Sequence, residues 1–276
     1  GFHAMNLRLF DLHCDTALEA YEKKLNINQS DNLQISLDKS GDFSVYTQVF
    51  AVWSRHGCDP EELWNRFFEV KKYLDAQIPA KRCETEEECD PNCVSDVCLT
   101  RPNFTYILAM EGGAPVNRDL TRLELLYNAG VRILTPVWKG SDAIGGAYDT
   151  KEGLTEYGRA LVRRCLELGI APDVSHASDR MTAEIIELCS EHGRPPLASH
   201  SNSRSVYGHP RGLTDENFKA LVSAGGIAGV NLVAVQLAET RCGIENVAVH
   251  IERFLELGGE GSVAVGCDFD GTDSLP

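Results

Sequence analysis

The segment Leu9-Phe10-Asp11-Leu12-His13-Cys14-Asp15 decides the fold. It reads as an apolar strand running straight into polar residues, and it contains no glycine. A doubly wound dinucleotide fold needs a glycine-rich turn at the end of its first strand, where the backbone approaches a pyrophosphate. Without that turn, the alternative is a barrel of parallel strands. Seven further apolar, β-branched runs follow. Together the eight occupy residues 7–15, 45–53, 105–112, 131–138, 170–176, 196–201, 226–232 and 262–270. Several are apolar almost throughout, as parallel strands covered on both faces require. Amphipathic helical patterns lie between them. Asp59-Pro60-Glu61-Glu62 supplies an N-cap, a first-turn proline and early acids, and Thr155, Ser178 and Thr214 are further N-caps. Gly130, Gly169 and Gly225 are placed as helix stops. Eight strand–helix alternations in 276 residues predict an α/β protein of the (β/α)8 TIM barrel type.

Composition narrows the function. Lys and Arg number 26 against 41 Asp and Glu, a net charge of −15, so a phosphate backbone is repelled and no nucleic-acid partner is expected. No run of about 18 apolar residues spans a membrane, and no charged leader precedes an apolar stretch. A cytoplasmic location is the expectation. Gly1 to Ala4, ahead of Met5, read as a tag scar, so residues 1–5 are set aside and 6–276 are read as one barrel. No helical stretch follows the eighth run before Pro276, and an eighth helix is expected beyond it. Residues 80–102, in the longest interval between strands, read as an excursion. They hold Cys83, Cys89, Cys93 and Cys98, whose spacing does not match paired C-x2-C knuckles. Disulfides, a structural metal or cluster site and free thiols all remain open there, with free or metal-bound thiols favoured.

In a barrel, the C-terminal strand ends form the active face. His13 and Asp15 end the first strand at i and i+2, on one side of it. Glu111 ends the third strand, His176 the fifth, His200 the sixth, and Asp268 and Asp270 the eighth. Three imidazoles and several carboxylates on one rim form a set suited to two divalent metals.

These motifs occur in order from Asp11 to Gly271. They are Asp11-Leu12-His13-Cys14-Asp15, Glu111-Gly112-Gly113, Asp173-Val174-Ser175-His176, Ser199-His200-Ser201, His209-Pro210-Arg211 and Asp268-Phe269-Asp270-Gly271. The set resembles the membrane (renal) dipeptidase family of zinc peptidases, in its bacterial-type branch. The resemblance implies a barrel of the metal-dependent hydrolase type with two Zn2+ per chain. It implies a dipeptidase that cuts dipeptides through a metal-bridging hydroxide, and a homodimer. By position, His13 and Asp15 would hold one zinc, His176 and His200 the other, and Glu111 would bridge them. Arg211 would grip the substrate carboxylate and Asp268 would serve as acid and base at the scissile bond. The best-known animal members carry a histidine at the end of the fourth strand. This chain has Trp138 there, as bacterial relatives do, which places an indole against the substrate and removes one charged donor. Cys14 stands where the family often has Gly or Asn, and it is expected to pack away from the metals. Two other readings stay in view: an amide hydrolase acting on N-acyl amino acids, and a silent metal-barrel binding module.

Overall fold

A computed structural model describes residues 6–78, 80–82, 97–99 and 104–276. Ten strands and eight α-helices lie along them. The strands are β1 (Leu7–Cys14), β2 (Phe43–Trp53), β3 (Ala80–Arg82), β4 (Val97–Leu99), β5 (Phe104–Glu111), β6 (Val131–Thr135), β7 (Ala171–Pro172), β8 (Leu197–Ala198), β9 (Ile227–Val230) and β10 (Val263–Val265). The helices are α1 (Thr16–Lys23), α2 (Pro60–Gln77), α3 (Thr121–Asn128), α4 (Glu156–Leu168), α5 (Asp179–Glu191), α6 (Asp215–Ser223), α7 (Ala234–Leu237) and α8 (Ile244–Glu256). Eight strands form one parallel sheet in the order β7-β6-β5-β2-β1-β10-β9-β8. Its two ends meet where the Val174 N–H donates to the Leu197 carbonyl at 2.8 Å. The result is the expected (β/α)8 barrel. No helix among the described residues is long and apolar enough to cross a membrane.

The helix starts follow side-chain chemistry. Asp59 accepts hydrogen bonds from the Glu61 and Glu62 N–H groups, and Thr155, Ser178 and Thr214 each cap the helix that follows them. Gly169 closes α4 in the left-handed region, at φ 89°. Two packed layers result. Leu12, Val49, Ala51, Ala109, Ile133 and Leu197 form a small cluster of their own, while the larger core is packed between strands and helices and includes Phe50, Met110, Leu134, Leu161 and Phe254. Cys14 belongs to that larger core, where its thiol donates to the Val49 carbonyl, so it packs as expected.

Two strands are much shorter than their apolar runs, since β7 and β8 keep only two paired residues each. Pro172 lacks the N–H a continuing ladder needs, and the chain beyond it turns to build the rim. The excursion begins and ends as an antiparallel hairpin in which Lys81 faces Cys98 across β3 and β4. Cys83, Cys89 and Cys93 lie outside the described residues, as do the alternatives for that cluster.

Candidate metal centre and substrate cavity

Every site residue read from the sequence arrives at the same rim. Strand β1 delivers His13 through an irregular step: Asp11 pairs with Gln48 and Cys14 with Phe50, three residues against two. Such a bulge re-aims side chains and is common beside active sites. Asp15 occupies the N-cap position of α1, yet its side chain makes no capping hydrogen bond. Its carboxylate turns to the site instead, 3.4 Å from His13 Nε2. Glu111 is the last residue of β5. His176 and Asp268 follow β7 and β10 in left-handed conformations, at φ 72° and 62°. Non-glycine residues rarely adopt that region, and such strain collects at functional sites.

Glu111 lies at the middle of the cluster. Its Oε2 is 3.3 Å from His13 Nε2, 3.3 Å from His176 Nε2 and 3.4 Å from His200 Nε2. Asp268 Oδ1 approaches His13 Nε2 to 3.4 Å. Two groups therefore offer ligand atoms close enough for one ion each: His13 with Glu111 and His200, and His13 with Asp15 and Asp268.

Two tautomers are fixed from behind. His176 Nδ1 lies 3.2 Å from the Trp138 carbonyl, and His200 Nδ1 lies 2.7 Å from Ser199 Oγ, which itself donates to the buried Asp173 carboxylate. Each Nδ1 is therefore the protonated nitrogen, and each Nε2 presents a lone pair. Those two Nε2 atoms are 3.0 Å apart. Two lone pairs at that distance repel unless a cation stands in front of them. Burial, reinforced by the Arg211 charge for His176 and by His13 for His200, drives both imidazoles well below the usual histidine pKa. Both are neutral at pH 7.

The third imidazole goes the other way. Burial opposes its protonation, but Glu111, Asp15 and Asp268 outweigh burial and raise the His13 pKa well above its ordinary value. The position demands positive charge. Burial pushes Glu111 up to about 7 despite the nearby His13, and pushes Asp15 well above the carboxylate range. Asp268 ends below that range, because contacts with His13 overcome its burial. Among the described residues, four buried side-chain nitrogen or oxygen atoms have no hydrogen-bond partner: His13 Nε2, Glu111 Oε2, Trp53 Nε1 and Arg211 Nε. The first two form the cluster itself. Buried polar atoms without partners are rare, and this pair fits a cation ligand set.

Above the cluster opens a cavity of about 440 Å3, lined by Asp15, Glu111, Trp138, His176, Arg211 and Asp268. Arg211 is no surface ion pair. It is 5% exposed, its Nη2 donates to the His200 carbonyl at 3.0 Å, and its guanidinium carbon lies 5.9 Å from the centre of the Tyr148 ring. Asp270 also lines the cavity, but its carboxylate accepts from Thr16 Oγ1 (2.6 Å) and from the Gln34 and Ile35 N–H groups. It braces the rim and is not free to ligate. Sequence reasoning passed over Trp53, although it ends the second apolar run. It also passed over Tyr148, in the long loop after β6, where no periodic pattern marks a position.

The membrane dipeptidase model of peptidase family M19 matches residues 4–276. The chain belongs to the membrane dipeptidase family. Among solved family structures, a dipeptidase described as a metallopeptidase of family M19 superposes with a TM-score of 0.82 at 26% identity, covering 98% of this chain and 87% of that one. A metallopeptidase from Rhodobacter sphaeroides, liganded with a phosphinate mimic of the dipeptide L-Ala-D-Ala, gives 0.81 at 25% identity, covering 98% and 88%. An uncharacterized protein in the pqqA 5′ region of Klebsiella pneumoniae is 31% identical over 65% of this chain and 71% of its own length. Rat dipeptidase 3 is 25% identical over 97% of this chain, which spans only 56% of that protein.

Proposed function

We propose that the chain is a metallo-dipeptidase that binds two Zn2+ ions and hydrolyses the peptide bond of dipeptides. The observation carrying this reading is the set of three imidazole Nε2 atoms 3.3–3.4 Å from one buried carboxylate oxygen, Glu111 Oε2. His13 and Asp15 would hold one ion and His176 and His200 the other, with Glu111 shared between them. When bound, a pair of zinc ions supplies Lewis acidity toward a carbonyl and a bridging water acidified toward neutrality. The same reading takes residues 6–276 as one barrel, with 80–102 as an excursion from it.

The remaining steps belong to side chains. Arg211 presents a planar fork to the substrate carboxylate, and its Nε–H has no partner inside the protein. That grip sets the distance from the carboxylate to the bond cut, which favours dipeptides over longer chains. Asp268 stands at the edge of the cluster, with its Oδ1 3.4 Å from His13 Nε2, and lines the cavity, so its carboxylate is placed to take a proton. It then returns that proton to the leaving amine. Trp138 closes one wall with its ring and orients His176 through its carbonyl.

The test is direct. Protein loaded with Zn2+ and offered a panel of L,L- and L,D-dipeptides should release free amino acids, and chelators should stop the release. Absence of hydrolysis across the panel by fully loaded protein overturns the reading. Cleavage confined to N-acyl amino acids moves the assignment to that class, whose carboxylate suits Arg211 equally well. The homodimer implied by the family is tested by sedimentation.

A further inference from the structure

Two of the four partnerless buried atoms remain after the metal cluster is accounted for, and both are donors: Arg211 Nε and Trp53 Nε1. Both residues line the same cavity. Trp53 is the last residue of β2 and pairs in register with Glu111, the residue at the middle of the cluster. Its ring centre lies 4.9 Å from that of Trp138, at 57°. An indole N–H can only donate. A buried donor without an acceptor is destabilising, and a ligand oxygen would relieve it.

The dipeptide itself limits what that oxygen can be. Of the groups every dipeptide carries whatever its side chains, the ammonium and peptide N–H are donors, and the peptide carbonyl and the carboxylate are the acceptors. Arg211 accounts for the carboxylate. We propose that the Trp53 indole N–H is a substrate contact, donating to the carbonyl oxygen of the bond being cut. This rests on the dipeptidase reading and adds to it a neutral donor beside Glu111. The donor strengthens its hydrogen bond as the carbonyl oxygen gains negative charge, so it acts chiefly on the transition state. It also offers this chain a donor on the wall where Trp138 stands.

Three forms of the protein test it: Trp53→Phe, Trp53→His, and protein carrying benzothienylalanine at position 53, which keeps the bicyclic outline and replaces N–H with sulfur. Wild-type turnover of dipeptides is measured first. If loaded wild-type protein cleaves none, the dipeptidase reading fails and this inference goes with it. Given wild-type turnover, the Phe and benzothienyl forms should lose about 10- to 100-fold in kcat, with KM and metal content little changed. The His form, which keeps a donor, should recover part of the loss. In protein labelled with 15N at its indoles, a phosphinate dipeptide mimic should move the Trp53 N–H proton resonance downfield. Unchanged kcat in the benzothienyl form overturns the proposal. A rise in KM alone also overturns it, by placing the N–H on the carboxylate. An unmoved Trp53 resonance on saturation with the phosphinate does the same.

Discussion

Asp173 holds His200 through a single hydroxyl. Ser199 Oγ donates to Asp173 Oδ2 and lies 2.7 Å from His200 Nδ1, so a buried carboxylate fixes an imidazole tautomer one residue beyond its direct reach. Asp173 also accepts from Thr135 Oγ1 at 2.6 Å and from the Ser175 and Ser199 N–H groups at 3.0 and 2.8 Å. Removing the hydroxyl in Ser199→Ala frees the ring while leaving every candidate ligand in place. Zinc affinity, read by competition with a chromophoric chelator, should fall about 10- to 100-fold, the usual cost of losing such support.

Glu111→Gln removes the negative charge that three imidazoles face. The amide keeps the shape but cannot serve two cations equally. Metal content by elemental analysis should drop, and dipeptide turnover should fall by more than an outer-shell partner's roughly 100-fold. Full metal retention would assign the shared role to another carboxylate.

Asp268→Asn separates proton transfer from metal binding. Turnover should fall by about 100- to 10,000-fold, the range for a general acid–base group. Metal content should remain near that of the wild type. Because Asp268 Oδ1 lies 3.4 Å from His13 Nε2, loss of metal would instead make it a ligand.

Arg211→Lys keeps a charge and loses the fork. For free dipeptides kcat/KM should fall roughly 10- to 100-fold, as for a lost hydrogen bond to a charged group worth about 1.5–3 kcal/mol. Dipeptide amides, which offer no carboxylate, should be affected far less. Steady-state kinetics on matched acid and amide pairs gives the comparison.

His250 predicts acid sensitivity of stability. It is fully buried, its Nε2 lies 2.9 Å from the Leu237 carbonyl, and its Nδ1 accepts the Ser203 N–H at 3.0 Å. A second proton would set N–H against N–H. Burial lowers its pKa, only partly offset by the Leu237 hydrogen bond. The unfolded chain, with an ordinary histidine near 6.5, therefore takes up a proton before the folded one does. Stability is full above about pH 6.5 and declines as pH falls toward the lowered folded value, with a slope of at most about 1.4 kcal/mol per pH unit. Urea midpoints for wild type and His250→Asn should converge as pH drops from 7 to 5.

The barrel was legible because its determinants are local. Asp59, Thr155, Ser178 and Thr214 cap where a short polar side chain precedes an amphipathic run, and no tertiary contact is needed to see it. The convergence of the candidate residues was legible because strand ends converge in any parallel barrel. What the sequence could not reveal depends on distance in space. Nothing local says that Asp270 is drawn to Gln34 and Ile35 while Asp268, two residues earlier, faces His13. Nor does sequence tell that the Trp53 indole nitrogen is buried without an acceptor, since partners come from other strands.

Two glycines hold the backbone beside His200 at close quarters. A Cβ on Gly229 would stand 2.2 Å from the Ser199 carbonyl oxygen, and one on Gly266 would stand 1.8 Å from the same atom. The backbone just before His200 thus rests on the bare Cα atoms of Gly229 in β9 and of Gly266, the residue after β10. A mutant library meant to broaden substrate range can vary the Trp138 side chain, because it is the backbone carbonyl of that residue that meets His176. Enlarging either glycine would shift the backbone that carries His200 before it touched specificity, so clones altered there would be lost from any screen for new activity.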